Sequence, residues 1–316
     1  MENEKDLKGE LEKFVKKAKK PIIVILGPTA SGKTDLSLRI SKFVNGEVIS
    51  TDSRQIYKEM EIGTAAITKK EQGKIPHHLI SIVKPNETVT LSDYVDMALK
   101  KIDEIHKNKK IPILVGGTGL YISAIIEGYD IQRVKPDSQL REKLMKEAVE
   151  KGVDHLYEKL TKLDPNAAKT IHKNNLHYVI RAIEINLATG KNKTSKKSKK
   201  SQFDLFKVGI LWPREALYER INKRADQQVK NGLIEEVEKL LKKKYNENLP
   251  AMTSLGVKEI IPYLRKEMTS QECMEILKRN TRRYAKRQMT WFKKYDNVMW
   301  LTNKELEQCL KELSKI

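Results

Sequence analysis

The chain has 316 residues, 62 of them Lys or Arg against 42 Asp or Glu, which leaves a net charge of +20 and a pI near 9.6. That length accommodates a large core with an additional unit, and the charge suits a polyanionic partner, although a solvated basic surface is the plainer alternative. No apolar run approaches membrane-spanning length, the charged N-terminal stretch lacks the apolar core of a signal peptide, and Cys273 and Cys309, 36 residues apart, form no metal spacing. A reduced, cytoplasmic setting is the expectation.

Leu7, Leu11 and Phe14 sit at helical spacing, and Ile22 to Leu26 is a continuous apolar run of the kind a strand buried on both faces requires. The next eight residues, Gly27, Pro28, Thr29, Ala30, Ser31, Gly32, Lys33 and Thr34, fit the phosphate-loop spacing, and Leu36, Leu38 and Ile40 continue as a helix. Successive backbone N–H groups of such a loop point into a nest at the positive end of that helix. Lys33 adds a point charge, and the Thr34 hydroxyl can ligate magnesium.

Gly46 to Thr51 reads as a second strand, which places Asp52, followed by Ser53, Arg54 and Gln55, just past its C-terminal end. If the two strands are neighbours, this loop shares a rim with the phosphate loop. A helix cap or a magnesium relay is the alternative for the carboxylate. Pro76 to Ser81 predicts a short strand, and its adjacent His77 and His78 point different ways with no third ligand nearby, so they read as structural or substrate-lining. Thr90 to Asp93 predicts a helix entry, with Leu91, Val95 and Leu99 on the apolar face as far as Ile105. Ile111 to Val115 is another buried strand, running into Gly116, Gly117 and Thr118 and then a helix. A nucleotide hydrolase or kinase of the phosphate-loop class usually has an acid at the end of such a strand to hold magnesium. Val115 is followed by glycine, which weakens that reading, although Asp52 could serve instead.

From Asp130 the pattern changes to charged helical repeats, and these close on a polar, basic run, Lys191 to Gln202, read as a mobile loop. Phe206 to Trp212 looks like a strand returning to the sheet, and the remainder reads as helical: Arg214 to Lys244, a turn at Leu249 to Gly256, Lys258 to Arg265, and Ser270 to Tyr295. On the last helix Arg279, Arg282, Arg283, Lys286 and Arg287 fall within about 140° at about 100° per residue, a cationic stripe suited to an anion. The expected organisation is α/β: a parallel-sheet core like that of the phosphate-loop NTPases begins in residues 1–129. An all-helical insertion occupies 130–200, and residues 201–316 return to the core and end in basic helices.

Taken together, GPTASGKT (Gly27 to Thr34), DSRQIY with Gly63 and Thr64, PHHLI, LVGGTGLYI (Leu114 to Ile122), IRAIE (Ile180 to Glu184), LYERIN (Leu217 to Asn222), Gly232 to Val237 and RRYAKRQMTWF (Arg282 to Phe292) make the sequence resemble the tRNA dimethylallyltransferases over nearly its whole length. The resemblance implies transfer of a dimethylallyl group from its diphosphate to N6 of adenosine 37, beside the anticodon of tRNAs reading codons that begin with U, with magnesium assisting and pyrophosphate leaving. It implies a diphosphate held by Gly27 to Thr34 with Arg224 as a clamp, Asp52 as the base that takes the amine proton, and Thr118 as the residue that orients this carboxylate or the substrate amine. Asp52 to Gln55 and Thr118 would meet the tRNA. Arg141, Arg181, Arg282, Arg283 and Lys286 would grip the anticodon stem-loop. A monomer without membrane attachment is expected.

Departures from the family pattern fall at Asn175 and Tyr178, where a carboxylate and a cation are usual, at Ala66 and Ile67, and at Val257. They concern tRNA contacts, not the reaction. A phosphate-loop kinase or NTPase, a noncatalytic RNA-binding protein and a prenyltransferase acting on free adenine nucleotide are the competing readings.

Overall fold

The computed structural model describes residues 6–129, 131–190 and 201–314, and the chain divides into two compact units, Met1–Ile126 with Ser201–Ile316, and Glu127–Lys200. In the first unit the apolar runs form strands β1 (Pro21–Leu26), β2 (Gly46–Ser50), β3 (His77–His78), β4 (Ile111–Val115), β5 (Asp204–Ile210) and β6 (Val298–Leu301). They pair in the order β3-β2-β4-β1-β5-β6, each pair parallel. The helices before the second unit are α1 (Leu7–Lys17), α2 (Lys33–Val44), α3 (Lys69–Gln72), α4 (Leu91–Lys107) and α5 (Gly119–Ile126). The second unit holds α6 (Ser138–Lys151), α7 (Val153–Leu163), α8 (Pro165–Thr170) and α9 (Leu176–Thr189), and the first resumes with α10 (Arg214–Lys230), α11 (Leu233–Lys242), α12 (Val257–Leu264), α13 (Ser270–Phe292) and α14 (Asn303–Leu313).

A parallel sheet buries both faces, and Ile22 to Leu26 are all fully buried as that requires. Ile23, Ile25, Ile113, Val208 and Ile210 meet Leu7 and Leu11 of α1, Leu36 and Ile40 of α2, and Leu306 and Leu313 of α14. Each such aliphatic side chain contributes about 1.5 to 3 kcal/mol when fully buried. The entry to α4 is a capping box between Thr90 and Asp93. Its buried face is Tyr94, Val95, Ala98, Ile102 and Ile105, while Leu91 and Leu99 are only half-buried.

Three expectations change. β1 and β2 are not neighbours, because β4 pairs with both; their C-terminal ends still share one rim because every strand runs the same way. The strand expected over Pro76 to Ser81 shrinks to His77–His78. The C-terminal region is not wholly helical: β6 extends the sheet beyond β5, and Asn231 and Gly232 divide the helix expected over Arg214 to Lys244.

In the second unit Leu144, Leu156, Leu160, Val179, Ile180 and Ile183 make a separate core. The boundary at Asp130 and the run from Lys191 to Lys200 lie outside the described residues.

Candidate active site

The phosphate loop joins β1 to α2 with Gly32 at the helix entry in the left-handed region, φ +97°, where a side chain would be strained. The loop is anchored from outside: the Trp212 indole N–H donates to the Ser31 carbonyl at 2.9 Å and Arg220 Nε donates to the Ala30 carbonyl at 2.7 Å. Lys33 Nζ donates to the loop's own Gly27 and Pro28 carbonyls at 2.9 and 2.7 Å. Burial and then the nearby Arg224 push its ammonium down to about 7, with Asp52 opposing them. Arg224 reaches the loop as well, with Nη1 3.5 Å from Thr29 Oγ1 and Nη2 donating to the Ala65 carbonyl at 3.3 Å. The buried Ser31 Oγ has no hydrogen-bond partner. Two cations and an unsatisfied hydroxyl around one loop suit an anion with several acceptor oxygens.

Asp52 is brought to that rim by the tip of β4. The Thr51 N–H donates to the Val115 carbonyl at 2.8 Å and the Thr118 N–H to the Thr51 carbonyl at 3.0 Å, so the chain leaving β2 is clasped against the glycine turn. Gly116 has to be glycine there: a Cβ would stand 2.3 Å from the Thr51 carbonyl carbon. Asp52 Oδ1 accepts from the backbone N–H of Arg54 at 2.9 Å, and a Cβ placed on Gly117 would lie 3.2 Å from Oδ2. Thr118 Oγ1 accepts from the Ser53 N–H at 2.9 Å. Through this bond it acts on the residue after Asp52.

A cavity of about 440 Å³ opens between these parts, lined by Thr29, Ala30, Asp52, Thr118 and Arg224 and walled by Ile221, Leu277 and Trp291. Its roof is a face of α13 that sequence reasoning passed over. Tyr284, Gln288 and Trp291 occupy a stripe about 60° wide at about 100° per residue, next to the cationic stripe. The Tyr284 hydroxyl donates to the Gly117 carbonyl at 3.1 Å, and burial pushes its phenol upward. The Trp291 indole N–H donates to Ser123 Oγ at 3.2 Å. The helical spacing was the available signal, masked by the charges beside it.

A further support was equally hidden. Glu236 Oε atoms accept the Ile62 and Gly63 N–H groups at 2.8 Å, and the Gln228 amide donates to both carbonyls of the same pair, at 2.7 and 2.9 Å. Gln55 donates to the Thr64 and Ala65 carbonyls at 3.3 Å, and Arg54 to the Pro250 carbonyl. These two residues thus brace the loops at the cavity, which Arg54 also lines.

Arg141 and Arg181, expected to grip tRNA, both bond Glu184 within the second unit: Arg141 binds it in a fork at 2.9 and 2.7 Å and Arg181 bonds the same carboxylate. Burial pushes Glu184 up, but the two guanidiniums outweigh it and hold the carboxyl below its usual range. On α13, Arg282 donates to Asn222 Oδ1 at 2.9 Å and lies over the Tyr218 ring, whereas Arg279, Arg283, Lys286 and Arg287 are exposed. His78 Nε2 lies 2.7 Å from a Glu47 carboxylate oxygen and His77 Nδ1 2.9 Å from the Ile75 carbonyl, both structural. Among the described residues no three His, Cys, Asp or Glu side chains are grouped to hold a metal, and no helix is long and apolar enough to cross a membrane. Cys273 and Cys309 are buried free thiols, and burial pushes Cys309 up to about 11.

The sheet and cavity define a phosphate-loop α/β protein whose anion cradle faces a carboxylate across one pocket. Residues 55–295 match the family model for IPP transferase, and the chain belongs to that family. It is 48% identical over 290 residues to a tRNA dimethylallyltransferase of Acetivibrio thermocellus, spanning 90% of this chain and 93% of the relative. It is 47% identical over 301 residues to that of Halothermothrix orenii, spanning 93% and 92%. The crystal structure of a full-length tRNA isopentenylpyrophosphate transferase from Bacillus halodurans superposes with a TM-score of 0.68 at 42% identity, covering 94% of this chain and 99% of that one. A eukaryotic dimethylallyltransferase acting on tRNA superposes with a TM-score of 0.80 at 28% identity, covering 94% and 77%.

Proposed function

We propose that this chain transfers a dimethylallyl group from dimethylallyl diphosphate to N6 of adenosine 37 in tRNAs that read codons beginning with U, releasing pyrophosphate. The observation that carries the reading is that Thr29 and Ala30 of the phosphate loop and Asp52, past the tips of different strands, line one cavity. The loop's N–H groups and Arg224 bind the diphosphate, and Lys33 exchanges its bonds to the Gly27 and Pro28 carbonyls for phosphate oxygens. As the allylic C–O bond breaks, these donors stabilise the charge gathering on pyrophosphate, which is commonly the largest catalytic term. The adenine amine attacks the allylic carbon, and Asp52, held by its bond from Arg54 N–H, takes the proton the amine must lose; general base catalysis contributes about 10²- to 10⁴-fold. The target base leaves the anticodon loop stack to enter the cavity, at less cost than from a duplex.

Magnesium fits the residues present. Thr34 is exposed at the start of α2, and with no acidic cluster among the described residues the ion would take its remaining ligands from diphosphate and water, as magnesium commonly does. When bound it would supply Lewis-acid stabilisation of the departing oxygen. Outside the cavity the exposed Arg283 and Lys286 suit the stem-loop backbone. The protein is proposed to act in the cytoplasm as a monomer.

Mass spectrometry of nucleosides from tRNA incubated with the protein and dimethylallyl diphosphate is the test. The expected product is N6-isopentenyladenosine, formed with an anticodon stem-loop and not with AMP. Product from AMP alone would move the reading to a free-nucleotide acceptor, and ATP turnover without prenylation would favour a kinase or NTPase.

A further inference from the structure

Gln288 is the residue through which the phosphate loop and the glycine turn are joined by a single side chain. It is 4% exposed, its Oε1 accepts the Thr29 N–H at 2.8 Å, and its Nε2 donates to the Gly117 carbonyl at 3.0 Å. Beyond Gly117 the bonds continue from Thr118 Oγ1 to Ser53 N–H, the residue after Asp52. The bridge is tight, since a Cβ on Gly117 would stand 2.4 Å from the Gln288 amide nitrogen. Thr29 in turn contacts Arg224 through its hydroxyl. An amide is the side chain this bridge needs, because one end accepts an N–H and the other donates to a carbonyl.

We propose that Gln288 is a positioning residue that fixes the distance between the diphosphate cradle and the turn that orients Asp52, and so the alignment of the allylic carbon with the incoming amine. The inference rests on the dimethylallyl-transfer reading above. Such a bridge acts on the geometry of attack more than on ground-state affinity, and a misplacement of about 1 Å costs about 10²-fold in rate.

The test is a pair of variants measured beside the wild type, with saturating dimethylallyl diphosphate and an anticodon stem-loop. Gln288→Leu is expected to lower kcat by about 10²-fold while the Kd of inorganic pyrophosphate stays within about threefold, because the cradle's other donors remain. Gln288→Glu supplies a readout that a packing role would not move. Its neutral carboxyl can accept from Thr29 and donate to Gly117 as the amide does, whereas the ionised form sets an acceptor against the Gly117 carbonyl. The titratable and charged groups on the same cavity are Asp52, Arg54, Arg224, Lys258, Tyr284 and Arg287. Burial and Asp52 favour the neutral form and the cations the ionised one. The ratio of variant to wild-type kcat, followed from pH 5 to 9, should therefore fall as pH rises through the introduced carboxyl's own titration. A ratio near one at every pH overturns the bridge, as does Gln288→Leu with kcat within threefold of wild type or with the loss confined to pyrophosphate affinity. If Gln288→Leu does not fold, the pH series of Gln288→Glu decides alone. A wild type that prenylates no tRNA overturns the reaction and the bridge together, whereas an active wild type beside unaffected variants overturns only the bridge.

Discussion

Lys33 carries the residue-scale account of the cradle. Its ammonium is held by two carbonyls of its own loop and is pushed down to about 7 by burial and Arg224, so an arriving dianion both replaces those carbonyls and favours the charged form. Lys33→Ala is expected to raise the pyrophosphate Kd about tenfold and to slow transfer by at least as much, since hydrogen bonds to charged groups contribute about 1.5 to 3 kcal/mol. Calorimetry and single-turnover rates check both; an unchanged Kd would place the lysine outside the cradle. The cradle and Asp52 were legible in the sequence because their chemistry is local, eight consecutive residues in one case and a strand end in the other. Gln288 was not, since its partners Thr29 and Gly117 are 259 and 171 residues away. Nor was the bonding of Arg141 and Arg181 to Glu184, since a cation in sequence advertises an anion without saying that the protein's own carboxylate supplies one.

Among elements, long apolar runs announced β1, β4 and β5, while β6 stayed hidden. It has four residues, and what makes it a strand is its register against β5, where Gly209 leaves room for the Trp300 ring. The insertion of β4 between β1 and β2 was likewise invisible, because strand order is a property of the assembled sheet. In the helical unit the Glu184 cluster allows an acid test. The folded state lowers the carboxyl below its usual value of 4.5, so the stability it contributes is present above that value and is lost as pH falls through the lower folded one. Urea midpoints measured downward from pH 5 should drop, and Glu184→Gln should flatten that drop. Glu184→Ala, which strands two guanidiniums beside a buried site, is expected to cost about 3 kcal/mol. An acid profile identical to wild type for Glu184→Gln would show the cluster to be inert.

For the whole molecule, the excess of 20 positive charges is a statement about partners. The fold sorts that charge: Lys278 is paired with Asp226 and Arg282 hydrogen-bonds Asn222, leaving Arg279, Arg283, Lys286 and Arg287 exposed on α13. Neutralising Arg283 and Lys286 should lower the log-log salt slope of tRNA affinity by about 0.7 to 0.9 for each phosphate that is no longer neutralised. An unchanged slope would make that face a solvated surface.

The most direct measurement of the central claim is the single-turnover rate of dimethylallyl transfer to an anticodon stem-loop by Asp52→Ala beside wild type, with stem-loop affinity measured on both. The account predicts a rate lower by about 10²- to 10⁴-fold and a stem-loop Kd within about threefold. A rate within threefold of wild type would contradict it.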